Sequence, residues 1–165
     1  MYRDRPGAPV TVAGPGRDAP HGGPTLMIVE ARFYTELADE MVASAIATIE
    51  AAGGGWQRFS VPGAFEIPGA IAIAHQASAR FDGFVALGCV IRGDTTHYDY
   101  VCGESARGLQ DLAIRHGLPI GYGILTVENE DQAWERADRK RGDKGRAAAE
   151  AALAMIELRR TLGSR

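Results

Sequence analysis

Leu26-Met27-Ile28-Val29 is apolar at every position, and so short and continuous a run does not leave one face for water. It predicts a strand covered on both sides, as strands in parallel sheets are, and so it demands helices above and below. Phe84-Val85-Ala86-Leu87, bounded by Gly83 and Gly88, repeats the pattern. Two further strands are expected, Trp56 to Val61 and Leu118 to Thr126; in the latter, glycines on either side of Tyr122 mark a close approach of backbone or ligand. Helical stripes alternate with the strands. Leu37, Met41, Val42, Ala45, Ile46 and Ile49 form the first, with Thr35 placed to cap it and Glu36, Asp39 and Glu40 favouring its N-terminal dipole. Ile67, Ile71 and Ile73 mark a second, entered through Pro62 to Pro68, and apolar positions 98, 101, 102, 109, 112 and 113 mark a third. A fourth starts at Asn129 or Glu130 and runs through Ala133, Trp134 and Ala137. Gly142 breaks it before a long Ala-rich helix from about 144 to 162, expected to turn Ala148, Ala151, Ala152, Met155, Leu158 and Leu162 inward. Four strands alternating with helices predict an α/β chain: a four-stranded parallel sheet, doubly wound, in a three-layer α/β/α sandwich.

The periodic pattern begins at Thr25. Residues 1–24 hold five prolines and five glycines and little that fills a core, and they are expected to be a flexible tail ahead of a single domain at 25–165. At 45% hydrophobic and 24% charged, the composition is that of an ordinary globular protein. A formal charge of -3 supplies no general attraction to nucleic acid or anionic membrane, and no apolar run approaches membrane-spanning length. The N-terminus lacks the apolar centre of a secretory signal. Cys89 and Cys102 have no metal-type spacing and read as small buried residues in a reducing cytoplasm.

In doubly wound sheets ligands bind beyond the carboxyl ends of the strands. The segments expected there are Arg32-Phe33-Tyr34, Gly63-Ala64-Phe65-Glu66, Val90 to His97 and Thr126-Val127-Glu128. The third is the richest. A Gly-containing turn is expected to follow the strand, and after Gly93 the cluster Asp94-Thr95-Thr96 opens a helix whose unpaired N–H groups and positive dipole favour a phosphate or carboxylate. His97, expected one turn inside that helix, can exchange protons in neutral water. A plainer alternative stands beside this one: a threonine caps the helix and His97 is a solvated first-turn residue. Glu66 can likewise hold a polyol or amine, or merely complement a helix dipole. The cations Arg136, Arg139, Lys140, Arg141 and Lys144 form either a solvated face or the partner of a bound anion. No Gly-rich nucleotide loop follows the first strand, where Ala31-Arg32-Phe33-Tyr34 stands instead.

Taken together, Ala-Arg-Phe at 31–33, Val-Pro-Gly-Ala-Phe-Glu-Ile-Pro at 61–68, the block from Ala86 to Val101, Gly-Ile-Leu-Thr at 123–126 and the Glu-Arg-Ala to Lys-Gly region at 135–145 resemble the 6,7-dimethyl-8-ribityllumazine synthases. The resemblance covers essentially everything from residue 25 onward. It implies a flavodoxin-like sandwich that condenses 5-amino-6-(D-ribitylamino)uracil with 3,4-dihydroxy-2-butanone 4-phosphate, releasing phosphate and water, the penultimate step of riboflavin biosynthesis, without metal or organic cofactor. Phe33 is then expected to stack on the pyrimidine, and Ala64, Phe65 and above all Glu66 to hold the ribityl chain. The backbone of Cys89, Val90 and Ile91 would read the pyrimidine edge. Gly93, Asp94 and Thr95 would cradle the phosphate with Arg136, and Lys144 near the same pole. His97 would move protons, a role that typically contributes ~10²–10⁴-fold. Tyr122, where the family often has phenylalanine, would come from a neighbouring subunit. Tyr34 and Gly103 stand where asparagine is common. The resemblance also implies a homo-oligomer with sites between subunits, a pentamer or a hollow shell of sixty chains. Pro20 and Pro24 lack the N–H that strand addition by the N-terminal segment would use, which favours a pentamer or pair of pentamers. A paralogue that binds lumazine or flavin without turnover is the alternative.

Overall fold

The computed structural model describes residues 11–12 and 16–163. Its sheet has the order β1-β3-β2-β4-β5, built from β1 (Thr11–Val12), β2 (Thr25–Ala31), β3 (Gly55–Val61), β4 (Gly83–Ile91) and β5 (Ile120–Val127). The last four are mutually parallel, as the apolar runs require. The short β1 pairs antiparallel with β3 through Thr11 to Ser60 and Val12 to Phe59, and so adds to the edge a strand that the sequence reading had not placed. Helices α1 (Thr35–Ala51), α4 (Glu130–Ala137) and α5 (Lys144–Gly163) cover one face, and α2 (Ile67–Gln76) and α3 (His97–His116) cover the other. Among the described residues no helix is long and apolar enough to cross a membrane.

Each face has its own core. Leu26, Ile28, Val85 and Leu87 meet Leu37, Met41, Ala148 and Ile156 on one side, while Met27, Val29, Phe84 and Ala86 meet Ile67, Ile71 and Leu109 on the other. Adjacent residues of β2 and β4 thus point into opposite cores, which is why both strands are apolar throughout.

The structure departs from the sequence expectations in four places. Thr35 is the first residue of α1 and not its cap; Tyr34 precedes the helix in extended conformation without a side-chain capping bond. β4 continues through Ile91, four residues past the apolar run that ends at Leu87, because β5 pairs with it from Gly88 to Ile124 as far as Ile91 to Val127. Ile73 lies on the outer face of α2 and is 69% exposed. In α5, Ala148 and Ala152 point inward as expected, but Ala151, Met155, Leu158 and Leu162 are exposed, and the buried stripe is Gly145, Ala148, Ala149, Ala152 and Ile156.

Small residues select that stripe. A Cβ on Gly121 would collide with the Ala148 carbonyl oxygen, and one on Gly145 would collide with the Met41 carbonyl oxygen. Helix α5 therefore lies on β5 and α1 at backbone distance at Gly145 and Ala148, where larger side chains are excluded, while Ile156 packs over Gly83. Replacing Gly121 by alanine is expected to lower stability by about 1–3 kcal/mol, measured by urea or thermal unfolding. Gly103→Ala on the exposed face of α3, where an added Cβ meets nothing within 4 Å, should instead be neutral or stabilising by up to about 1 kcal/mol.

Candidate functional site

The carboxyl ends of β2, β3, β4 and β5 lie on one side of the sheet, so the segments that follow them form a common rim. From β2 the chain passes in three residues to α1. Phe33 in that turn is 56% exposed, and its ring meets Tyr34 edge to face at 5.0 Å between centroids. Under the turn lies a charged group that sequence reasoning missed. Glu30 is fully buried, and its carboxylate accepts from Arg58 Nε at 2.8 Å, Arg58 Nη2 at 3.0 Å, Ser60 Oγ at 2.7 Å and Arg32 Nη1 at 3.2 Å. Arg32 Nη2 donates onward to Asp39 Oδ1 of α1 at 2.7 Å. Burial pulls the Arg32 pKa down, but Asp39 and Glu30 outweigh it and hold the guanidinium above its ordinary value. The available signal was an acid two residues before an arginine at the end of an apolar strand. In register, Glu30 is paired with Ser60, and Ile28, two residues earlier, with Arg58.

After β3, Gly63 is extended and Ala64–Glu66 form a single 3-10 turn into α2. Ala64 is buried, whereas Phe65 and Glu66 are exposed. The Glu66 carboxylate folds back toward Gly63, whose Cβ, if present, would lie 3.1 Å from Oε2. It makes no capping bond to α2, so the dipole reading of Glu66 finds no hydrogen bond to support it.

At β4, Cys89, Val90 and Ile91 are half-buried. Pairing with β2 ends at Leu87, opposite Glu30, while pairing with β5 runs on to Ile91. Beyond Leu87 the β2-facing edge of β4 therefore has no strand partner among the described residues. Arg92 then fastens the rim: its Nε donates to Glu128 after β5 at 2.8 Å, its Nη1 reaches Asp99 of α3 at 3.4 Å, and its guanidinium lies 4.2 Å from the Tyr98 ring centroid. Gly93, Asp94 and Thr95 are exposed, and nothing lies within 4 Å of a Cβ placed on Gly93. Thr95 Oγ1 accepts from the His97 N–H at 3.4 Å, whereas Thr96 precedes α3 without a side-chain bond. His97 is the first residue of α3, not one turn inside as expected. The exposed imidazole thus stands directly at the unpaired N–H groups.

The basic cluster divides. Arg139 is paired with Glu40 of α1 at 3.1 Å and Arg141 with Asp138 at 3.0 Å. Arg136 and Lys144 instead line one open cleft of about 530 Å³, together with Glu135, Arg141 and Gly142. Arg136 Nη1 donates to the Gln132 carbonyl at 3.0 Å. Lys144 opens α5 directly after Asp143, which has φ 45 and is bonded to Ser44 of α1. Among the described residues no hydrogen bond or ion pair joins His97 to Arg136 or Lys144. Tyr122 sits lower on the sheet, where burial first, and Cys102 and Tyr98 of α3 after it, push its phenol up. It lies on β5 opposite Ala86 and is 47% exposed. Four residues separate it from Thr126, about 13 Å of strand below the rim.

A profile described as 6,7-dimethyl-8-ribityllumazine synthase matches residues 23–160. The chain is 55% identical over 143 residues to 6,7-dimethyl-8-ribityllumazine synthase 1 of Rhizobium meliloti (strain 1021), covering 84% of this chain and 94% of that protein. It is 54% identical over 144 residues to the 6,7-dimethyl-8-ribityllumazine synthase of Agrobacterium fabrum (strain C58), covering 85% and 97%. With the protein of the same name from Azorhizobium caulinodans it is 52% identical over 151 residues, covering 89% and 93%.

The thiols at the rim are held neutral. Burial first, and Cys102 second, push the Cys89 thiol up to about 12, and burial also raises Cys102. Because the thiolate is the nucleophile, a raised value means less reactive species at any pH below it. Alkylation of Cys89 in the folded protein at pH 8 is expected to be slower than that of a free cysteine by on the order of a thousandfold, from the ordinary thiol value of ~8.5; peptide mapping after iodoacetamide treatment, with denatured protein as reference, measures it.

Proposed function

The chain belongs to the 6,7-dimethyl-8-ribityllumazine synthase family, and from that premise we propose how its own residues carry out the reaction. It condenses 5-amino-6-(D-ribitylamino)uracil with 3,4-dihydroxy-2-butanone 4-phosphate to 6,7-dimethyl-8-ribityllumazine, releasing phosphate and water, in riboflavin biosynthesis. The pyrimidine lies along β4 past Leu87, where the β2-facing backbone of Cys89, Val90 and Ile91 has no strand partner and can exchange hydrogen bonds with the ring edge. That unpaired edge, ending beside the start of α3, is the observation that carries the assignment of the site. Phe33 offers an exposed ring to stack on the heterocycle. Ala64 shapes the floor, and Phe65 and the uncommitted carboxylate of Glu66 receive the ribityl hydroxyls.

The phosphate of the second substrate sits in the open space over Gly93, Asp94 and Thr95, at the N-terminus of α3. His97 is placed there to move protons: it takes one from the adding amine and returns it as the former ketone oxygen leaves as water, then takes the carbon-bound proton lost in the elimination and passes it to the departing phosphate. Arg136 and Lys144, sharing a cleft, supply the cationic side of the phosphate pocket.

Tyr122, half-exposed on β5, is the residue we assign to a neighbour's site. That arrangement requires a homo-oligomer, which we assign as a pentamer or pair of pentamers. Exposed apolar residues such as Ile73, Ile114 and Leu162 are consistent with buried contacts between subunits. The unpaired thiols Cys89 and Cys102 suit a cytoplasmic enzyme.

Mixing both substrates with the purified protein should give lumazine absorbance and free phosphate in equal amounts, above the uncatalysed rate; background rate alone, with a product analogue still bound, would indicate a binding paralogue. Arg136→Ala is expected to raise KM for the butanone phosphate by tenfold or more and KM for the pyrimidine by less than threefold. Equal effects would take Arg136 out of the phosphate pocket. Light scattering should return five or ten subunits, and a mass near sixty would overturn the assigned assembly.

A further inference from the structure

The charged group under the β2–α1 turn has no part in the roles above. An ionised carboxylate without solvent contact is costly unless each oxygen is partnered, and a hydrophobic residue at position 30 would satisfy the same core more simply. Here three elements converge on that one carboxylate: Arg58 and Ser60 from β3, Arg32 from the turn and, through Arg32, Asp39 from α1. Arg58 Nη2 also lies 3.6 Å from Asp39 Oδ1, so two guanidiniums and two carboxylates close a balanced ring of charge. The planar fork of Arg32 faces Glu30 with one nitrogen and Asp39 with the other, which constrains the orientation of the residue as well as its place.

Phe33 follows immediately. Its ring is exposed, meets Tyr34 edge to face and, among the described residues, belongs to neither apolar core. Tyr34 packs at the margin of the core beneath α1. The ring is therefore presented between two anchored neighbours, one apolar and one ionic. We propose that Arg32, held by the buried Glu30–Arg58–Ser60 group and by Asp39, is a positioning residue that sets Phe33 for stacking on the pyrimidine. The inference rests on the reading of Phe33 as the stacking residue.

Three variants test it, with KM for each substrate, kcat and unfolding temperature measured for all. Phe33→Ala tests the stacking role. Arg32→Met removes the fork but leaves Glu30 bonded to Arg58 and Ser60. Asp39→Asn weakens the outer tether at an exposed position, so it keeps the test alive if Arg32→Met folds poorly. We expect Arg32→Met to raise KM for the pyrimidine at least fivefold with KM for the butanone phosphate within twofold, and Asp39→Asn to shift it in the same direction by less. Arg32→Lys, retaining charge without the fork, should recover only part of the loss. In a Phe33→Ala background, Arg32→Met should add little, because both changes act through one ring. Full additivity, equal rises for both substrates, or a lowered unfolding temperature with unchanged KM would overturn the inference. Phe33→Ala with normal pyrimidine KM would remove the stacking role itself and the inference with it. A wild-type protein that makes no lumazine would remove the enzymatic reading instead.

Discussion

The site depends on an offset between ladders. Parallel strands hold register through slanted backbone bonds, and here the β2–β4 ladder stops at Glu30 and Leu87 while the β4–β5 ladder runs four residues further. Had β2 continued, β4 would be saturated on both edges and its end would be inert sheet. Because β2 turns away at Arg32, one edge of Cys89 to Ile91 is left with directional donors and acceptors on an otherwise rigid support. Arg92 fixes where that support ends by bridging Glu128 and Asp99, and α3 starts five residues later with His97 at its first position. A backbone edge for the heterocycle and a helix terminus for an anion are consecutive outcomes of a single difference in strand length.

The turn that creates the offset needs support of its own, since β2 and β4 part there. Apolar packing could close the gap, but dispersion carries no directional information and would let the turn settle in several ways. The Glu30 group uses hydrogen bonds of defined angle from β3 and α1. Charge burial adds little net stability in such settings, and what it supplies is geometric.

Most of the architecture was legible in the sequence because it follows from periodicity. Continuous apolar runs announced parallel strands, alternating stripes announced helices on both sides, and Asn129 capping Gln132 N–H opens α4 where expected. The misreadings share a cause. Met155, Leu158 and Leu162 were expected inside because they are large and apolar, but Gly121 and Gly123 meet α5 at Ala148 so closely that a small residue is needed there, and the helix turns the stripe from Gly145 to Ile156 inward instead. β4 was expected to have ended before Val90 because local pattern says nothing of a partner strand that continues. For the candidate site, the residues were nameable from motif order and from the chemistry of a helix terminus, yet Glu30 with Arg58 was not, since 28 residues separate them and only register brings them together. The division of the basic cluster was equally invisible, because Glu40 meets Arg139 across 99 positions.

The seat of α5 also bears on how such a chain tolerates drift over generations. Alanine gives up no rotamer freedom on burial, so the helix docks at small entropic cost, but each contact on that face admits no enlargement. Around the rim the reverse holds, since positions such as Gly93 open onto free space. The sheet face where nothing reacts is thus fixed by packing, whereas the rim, free of that limit, is held to its residues by the ligand it has to admit.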